Sequence, residues 1–101
     1  MTDSDISFTD AMVLARAHAD AGLKVHAFDP VLRHTLDQLA VIDAQLARTG
    51  DLSGLRSGEI NLGLMAAKEL GNDEADFAHA LHVIQWEADT ATGDNAENRL
   101  R

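Results

Sequence analysis

Asp76, His79 and His82 stand three residues apart, a spacing that lines side chains up on one face of a helix. Two imidazoles and a carboxylate so placed can ligate zinc or move protons. A structural zinc site needs four ligands, and no second His or carboxylate pair can be matched to this one in the chain. No bound metal is therefore expected, and a carrier or sensor site on these three residues would show itself as stoichiometric metal. His18, His26 and His34 are scattered and read as solvent-facing or helix-flanking groups. There is no Gly-rich phosphate loop, nucleophile elbow or metalloprotease spacing, and no cysteine to supply a thiolate. Neither catalysis nor a cofactor is expected.

Binding is the chemistry these residues suit better. At 100° per residue, Phe77, Leu81, Ile84 and Ala88 cluster on one side of their helix, while Trp86 points to the other side with His79, His82 and Asp89. A Trp on a polar face has the character of an interface anchor. Against this stands its high average burial, which a broader bundle contact or the C-terminal tail would satisfy. Met65 takes a similar off-core place between Asn61, Lys68 and Glu69. Met65, Glu69, Asp73, Glu74, Asp76, His79, His82, Trp86, Glu87 and Asp89 thus form the candidate partner-binding surface.

Four helices have to position these groups. Ser7 with Asp10 three residues on resembles a capping box and Gly22 supplies a stop, with Phe8, Met12, Ala15 and Ala19 on one face and Ala11 beside them. Asp29-Pro30 opens a second helix that Gly50 closes, with Leu32, Leu36, Leu39, Ile42 and Leu46 as its apolar stripe. Asp43 falls inside that stripe, where a carboxylate has to pair or sit at the rim. The third helix is expected to open between Ser53 and Ser57 and to run to Leu70, ending on a left-handed Gly71. Its apolar arc is Ile60, Gly63, Leu64, Ala67 and Leu70. Glycine inside a helix costs about 1 kcal/mol relative to alanine, so Gly63 predicts close approach of the fourth helix, which begins at Asn72 or Asp73 and fades near Thr90. Short connections imply an all-α, up-and-down four-helix arrangement with a C-terminal helical hairpin. Residues 1–92 are read as a single helical domain and 93–101 as a frayed, disordered tail.

The chain of 101 residues carries a formal charge of −9, which argues against nucleic acid or an anionic membrane as partner. Residues 51–101 hold ten carboxylates against four bases, and no Lys or Arg occurs between Lys68 and Arg99. Such a surface suits a basic protein partner, although charge alone also serves solubility. The acidic start Met1-Thr2-Asp3-Ser4-Asp5 is unlike a secretory signal and no apolar run approaches a membrane span. A cytoplasmic protein is expected.

The segment Ile60-Asn61-Leu62-Gly63-Leu64-Met65-Ala66-Ala67-Lys68-Glu69-Leu70, followed by Gly-Asn and Asp73-Glu74-Ala75-Asp76-Phe77, resembles the small immunity proteins that bacteria make against their own type VI secretion effectors. It is most similar to those neutralising NAD(P)-hydrolysing toxins. Gly63, Lys68, Glu69 and the acidic restart at Asp73 carry the likeness, which covers residues 55–90 in wording. The first fifty residues share only a pair of amphipathic helices. The resemblance implies a small, acidic, all-helical, non-enzymatic protein that binds a secreted toxin's catalytic domain and blocks it, protecting its producer in interbacterial competition. The partner would be a cognate toxin domain with a basic active-site cleft. The alternative is a helical self-association or adaptor protein, a homodimer through Met65 and Trp86, with no inhibitory role.

Overall fold

The computed structural model of the protein describes residues 6–92. The fold is all-α, with α1 (Phe8–Val25), α2 (Pro30–Thr49), α3 (Leu62–Glu69), a 3-10 turn (Asn72–Glu74) and α4 (Ala75–Thr92) in chain order. α4 packs against α1 on one side and α3 on the other, and α2 lies on α1 and touches α3 lightly. The expected tail at 93–101 lies outside the described residues.

The first two helices form where their end signals stand. The Ser7 hydroxyl accepts from the Asp10 amide at 3.0 Å, and the Asp29 carboxylate accepts from the amides of Val31 and Leu32. Gly50 ends α2 with φ 83°, a left-handed conformation that glycine adopts without a Cβ penalty. Gly22, expected to stop α1, lies inside it instead. A Cβ at Gly22 would collide with Leu32 Cδ1, so this glycine admits α2 rather than ending α1, and the helix continues to Val25.

The core joins Ala11, Met12, Ala15 and Ala19 of α1 to Leu32, Leu39 and Ile42 of α2 and to Phe77, Ala80, Leu81, Ile84 and Ala88 of α4. Leu36 and Leu46 are partly buried against it. Two polar residues enter this layer unannounced by the apolar stripe. Thr35 is buried because its hydroxyl donates to the Val31 carbonyl at 2.9 Å. Gln45 is buried while its amide bonds to Thr49 and receives Arg48. Asp43 meets both expectations, lying half-exposed at the rim and pairing with Arg16.

The third helix differs most from its expectation. It begins at Leu62, not between Ser53 and Ser57, and has eight residues. Asp51 captures the Ser53 amide and hydroxyl, Leu55 and Glu59 close turns onto Leu52 and Arg56, and Gly58 takes φ 81°. These turns break a helical path, yet Leu52, Leu55 and Ile60 still reach the core. Starting later shifts the buried face of α3 to Leu62, Gly63 and Ala66, leaving Leu64 and Ala67 exposed. Gly71 is extended, not left-handed, because α3 ends at Glu69 with Leu70 already in the β region.

Candidate partner-binding surfaces

Gly63 does lie at a close contact with α4. An added Cβ would stand 2.9 Å from Gln85 Cγ and 3.4 Å from His82 Nδ1, so the neighbour is the Gln85 flank of α4 and not the Phe77 to Ile84 stripe. Gln85 fills the space with hydrogen bonds. Its Oε1 accepts from the Gly63 amide at 3.0 Å, while its Nε2 donates to the Ile60 carbonyl at 2.6 Å and to Asp89 Oδ1 at 2.9 Å. From α2, Gln38 grips the same segment through the Glu59 carbonyl and the Asn61 amide. Two glutamines on long helices thereby fix the short one that carries Leu64, Met65 and Glu69.

The end of α1, the start of α2, the end of α3 and the 3-10 turn meet at one end of the molecule. There His18 stacks on Phe77 with ring centroids 4.1 Å apart, and its Nε2 is 3.6 Å from Glu74 Oε2. Beside this pair, Asp73, Glu74 and Asp76 edge a recess of about 600 Å³ floored by Leu14, Ala17 and Phe77. These acids also lie at the positive end of the α4 dipole, which favours them there on structural grounds alone. A second recess, of about 360 Å³, is lined by both Glu69 and Glu74 together with His18 and His26. A third, of about 370 Å³, runs between α2 and α3, with Pro30, Val31, Leu64 and Met65 on its walls and Lys68 and Glu69 at its edge. At its edge His34 Nε2 is 2.7 Å from Asn61 Oδ1.

The ten candidate residues therefore fall into two groups. Met65, Glu69, Asp73, Glu74 and Asp76 gather at the helix junction. His79, His82, Trp86, Glu87 and Asp89 run along α4, with Trp86 about 15 Å from Asp76 at 1.5 Å rise per residue. Trp86 is 51% exposed, as its angular position predicts. Met65 is not off the core as expected but partly buried against it, and the neighbouring Leu64 takes the exposed place. Asp89 is engaged by Gln85, which gives it a structural task. His79 is partly buried, and its Nε2 is shielded from solvent without a hydrogen-bond partner among the described residues. No group of three or more His, Cys, Asp or Glu side chains among the described residues is arranged to hold a metal.

A family model, Tsi6, matches residues 7–90, which runs from the cap of α1 to the last turn of α4. The chain belongs to the Tsi6 family. No curated protein and no solved structure matches it. Tsi6 is a family of type VI secretion immunity proteins, typically non-enzymatic, and membership implies a cognate toxin as partner. The match takes in α1 and α2, which in the sequence resembled the family as amphipathic helices alone. In this Tsi6-family chain the matched residues include both groups of candidate side chains. None of its described helices is long and apolar enough to cross a membrane.

Sequence reasoning missed two kinds of residue here. Gln38 and Gln85 are polar residues whose partners are backbone groups 21 to 25 residues away, a pairing with no periodic signature. Phe28 did leave a signal. It precedes the Asp29 cap, where an apolar residue usually folds back onto the fourth helical position, but that position is Arg33. Without an apolar partner, Phe28 stays 88% exposed.

Proposed function

We propose that this protein is a cytoplasmic immunity protein that binds and blocks the catalytic domain of a cognate secreted antibacterial toxin, with an NAD(P)-hydrolysing effector as the first candidate. The observation that carries this reading is the Tsi6 match across all four helices. The charge pattern supports it. An enzyme that cleaves an anionic dinucleotide needs a basic cleft, and a protein with no Lys or Arg between Lys68 and Arg99 presents the complementary sign. Glu69, Asp73, Glu74 and Asp76 at the junction are the proposed electrostatic contacts, with Met65 beside them. Trp86, flanked by His79, His82 and Glu87, is the proposed anchor on α4.

The test is growth and the NAD(P) pool of cells expressing the toxin domain encoded beside this gene, with and without this protein. Co-expression is expected to restore both growth and the dinucleotide pool. Equal killing in the two strains would remove the immunity reading. Rescue of growth in cells whose NAD(P) never fell under the toxin alone would keep immunity and replace the target chemistry.

A further inference from the structure

The most exposed large apolar side chains are not on α4. Phe28 is 88%, Val25 75% and Leu64 63% exposed, and all three lie where the helices meet. Val25, Phe28 and Pro30 line one recess, and Pro30 also lines the cleft that holds Leu64 and Met65. Pro30 thus joins them into one apolar band. Folding does not call for this band, since the connection between α1 and α2 is held by the Asp29 cap and Pro30, by the Asp29 amide on the His26 carbonyl and by Arg33 on the Ala27 carbonyl, and Phe28 leaves most of its surface to solvent.

A second copy of the chain is a poor occupant. An isologous dimer would lay this band on itself and bring two acidic rims together. Among the residues lining the four recesses at this end, Lys68 is the single Lys or Arg against Asp29, Glu69, Asp73, Glu74 and Asp76, and Arg33 adds one base beside Phe28 through its bond to the Ala27 carbonyl. Like charges so juxtaposed oppose association. A partner with apolar sockets bordered by Lys or Arg fits instead, with the apolar anchors desolvated at the centre and the charges at the rim.

We propose that the Val25–Phe28–Leu64 band docks on the cognate toxin's catalytic domain, Phe28 and Leu64 entering apolar sockets while Glu69 and Glu74 face basic groups beside them. This rests on the immunity reading and adds to it a surface on the α1–α2 corner, remote in sequence from α4. The experiment measures binding kinetics of the full chain on the immobilised toxin domain encoded beside the gene, for the parent, Phe28→Ser/Leu64→Ser, Phe28→Ala and Val13→Ser. Val13 is as exposed as Leu64 but lines none of the four recesses. With helical content and melting temperature kept, the double variant is expected to bind at least about 30-fold more weakly, chiefly through faster dissociation, and Phe28→Ala about tenfold. Val13→Ser should stay within about twofold of the parent, as a scattered surface residue does. A folded double variant that binds within about threefold of a binding parent overturns the docking surface and leaves immunity standing. A parent that fails to bind overturns both. A dimer of the chain alone that the double substitution dissolves gives the band to a second copy and overturns the proposal.

Discussion

α2 and α3 both flank the same core, but they owe their existence to different things. α2 has twenty residues, its own N-cap in Asp29, proline at its first position and a left-handed glycine at its end. α3 has eight residues and no side-chain cap at Asn61, and helices that short are marginal in water by themselves. What holds α3 is distant: Gln38 and Gln85 bond its entry, and its glycine lets α4 approach. A helix with local signals is specified where it stands, whereas a short one is specified by its neighbours.

That contrast can be broken at Gly63. Gly63→Leu would drive a side chain into Gln85 and displace the amide bond it accepts, and overpacking of this kind costs about 1 to 3 kcal/mol. Thermal denaturation should show a lowered melting temperature, and hydrogen exchange should show α3 amides losing protection ahead of those in α2. An unchanged melting temperature would mean that α3 does not depend on this contact.

Asp29→Ala sharpens the other side. Removing an N-cap costs about 1 kcal/mol, and here it frees the amides of Val31 and Leu32. Because α2 has a buried stripe along its length, the loss should register as a modest fall in the midpoint of denaturant unfolding with an unchanged slope. Selective loss of α2 protection, with the rest of the chain unaffected, would contradict this.

The smallest effect is expected in the connection between them. The Ser53 hydroxyl and amide, with a contribution from Thr49, hold the Asp51 carboxyl below its ordinary value of 3.8. A lowered folded-state value contributes stability above that ordinary value, and the contribution is lost as pH falls through the folded-state value. Stability of the parent and of Asp51→Asn, followed from about pH 5 downward, should therefore converge in acid. Since this carboxyl is fully solvent-exposed, the gap above pH 4 should be slight, and a gap that widened in acid would refute the assignment.

What could be read in advance follows the same division. The ends Ser7, Asp29-Pro30 and Gly50 are local chemistry, and so were legible, as were the stripes of α1, α2 and α4. The start of α3 was not, because Ile60 stands at helical spacing from Leu64 and Ala67 although it is buried from the irregular segment before the helix, and Gly22 looked like a stop for want of any sign that Leu32 would press on it. In the candidate surface, the angle of Trp86 on its helix put it on the polar face but left open whether a wider contact would bury it, and the structure leaves it 51% exposed. The meeting of Glu69 with Glu74, and of Pro30 with Leu64, depends on four helix ends converging, which periodicity does not encode.

The arrangement of the recesses carries an evolutionary consequence. They open where helices terminate, whereas Leu39, Ile42, Leu81 and Ile84 pack along the helix middles. Substitutions at residues such as Val25, Phe28, Leu64 or Asp73 can therefore accumulate without disturbing the interior. A lineage that uses this end for recognition, as proposed above, would be able to rewrite it one exposed residue at a time, each intermediate remaining a folded protein.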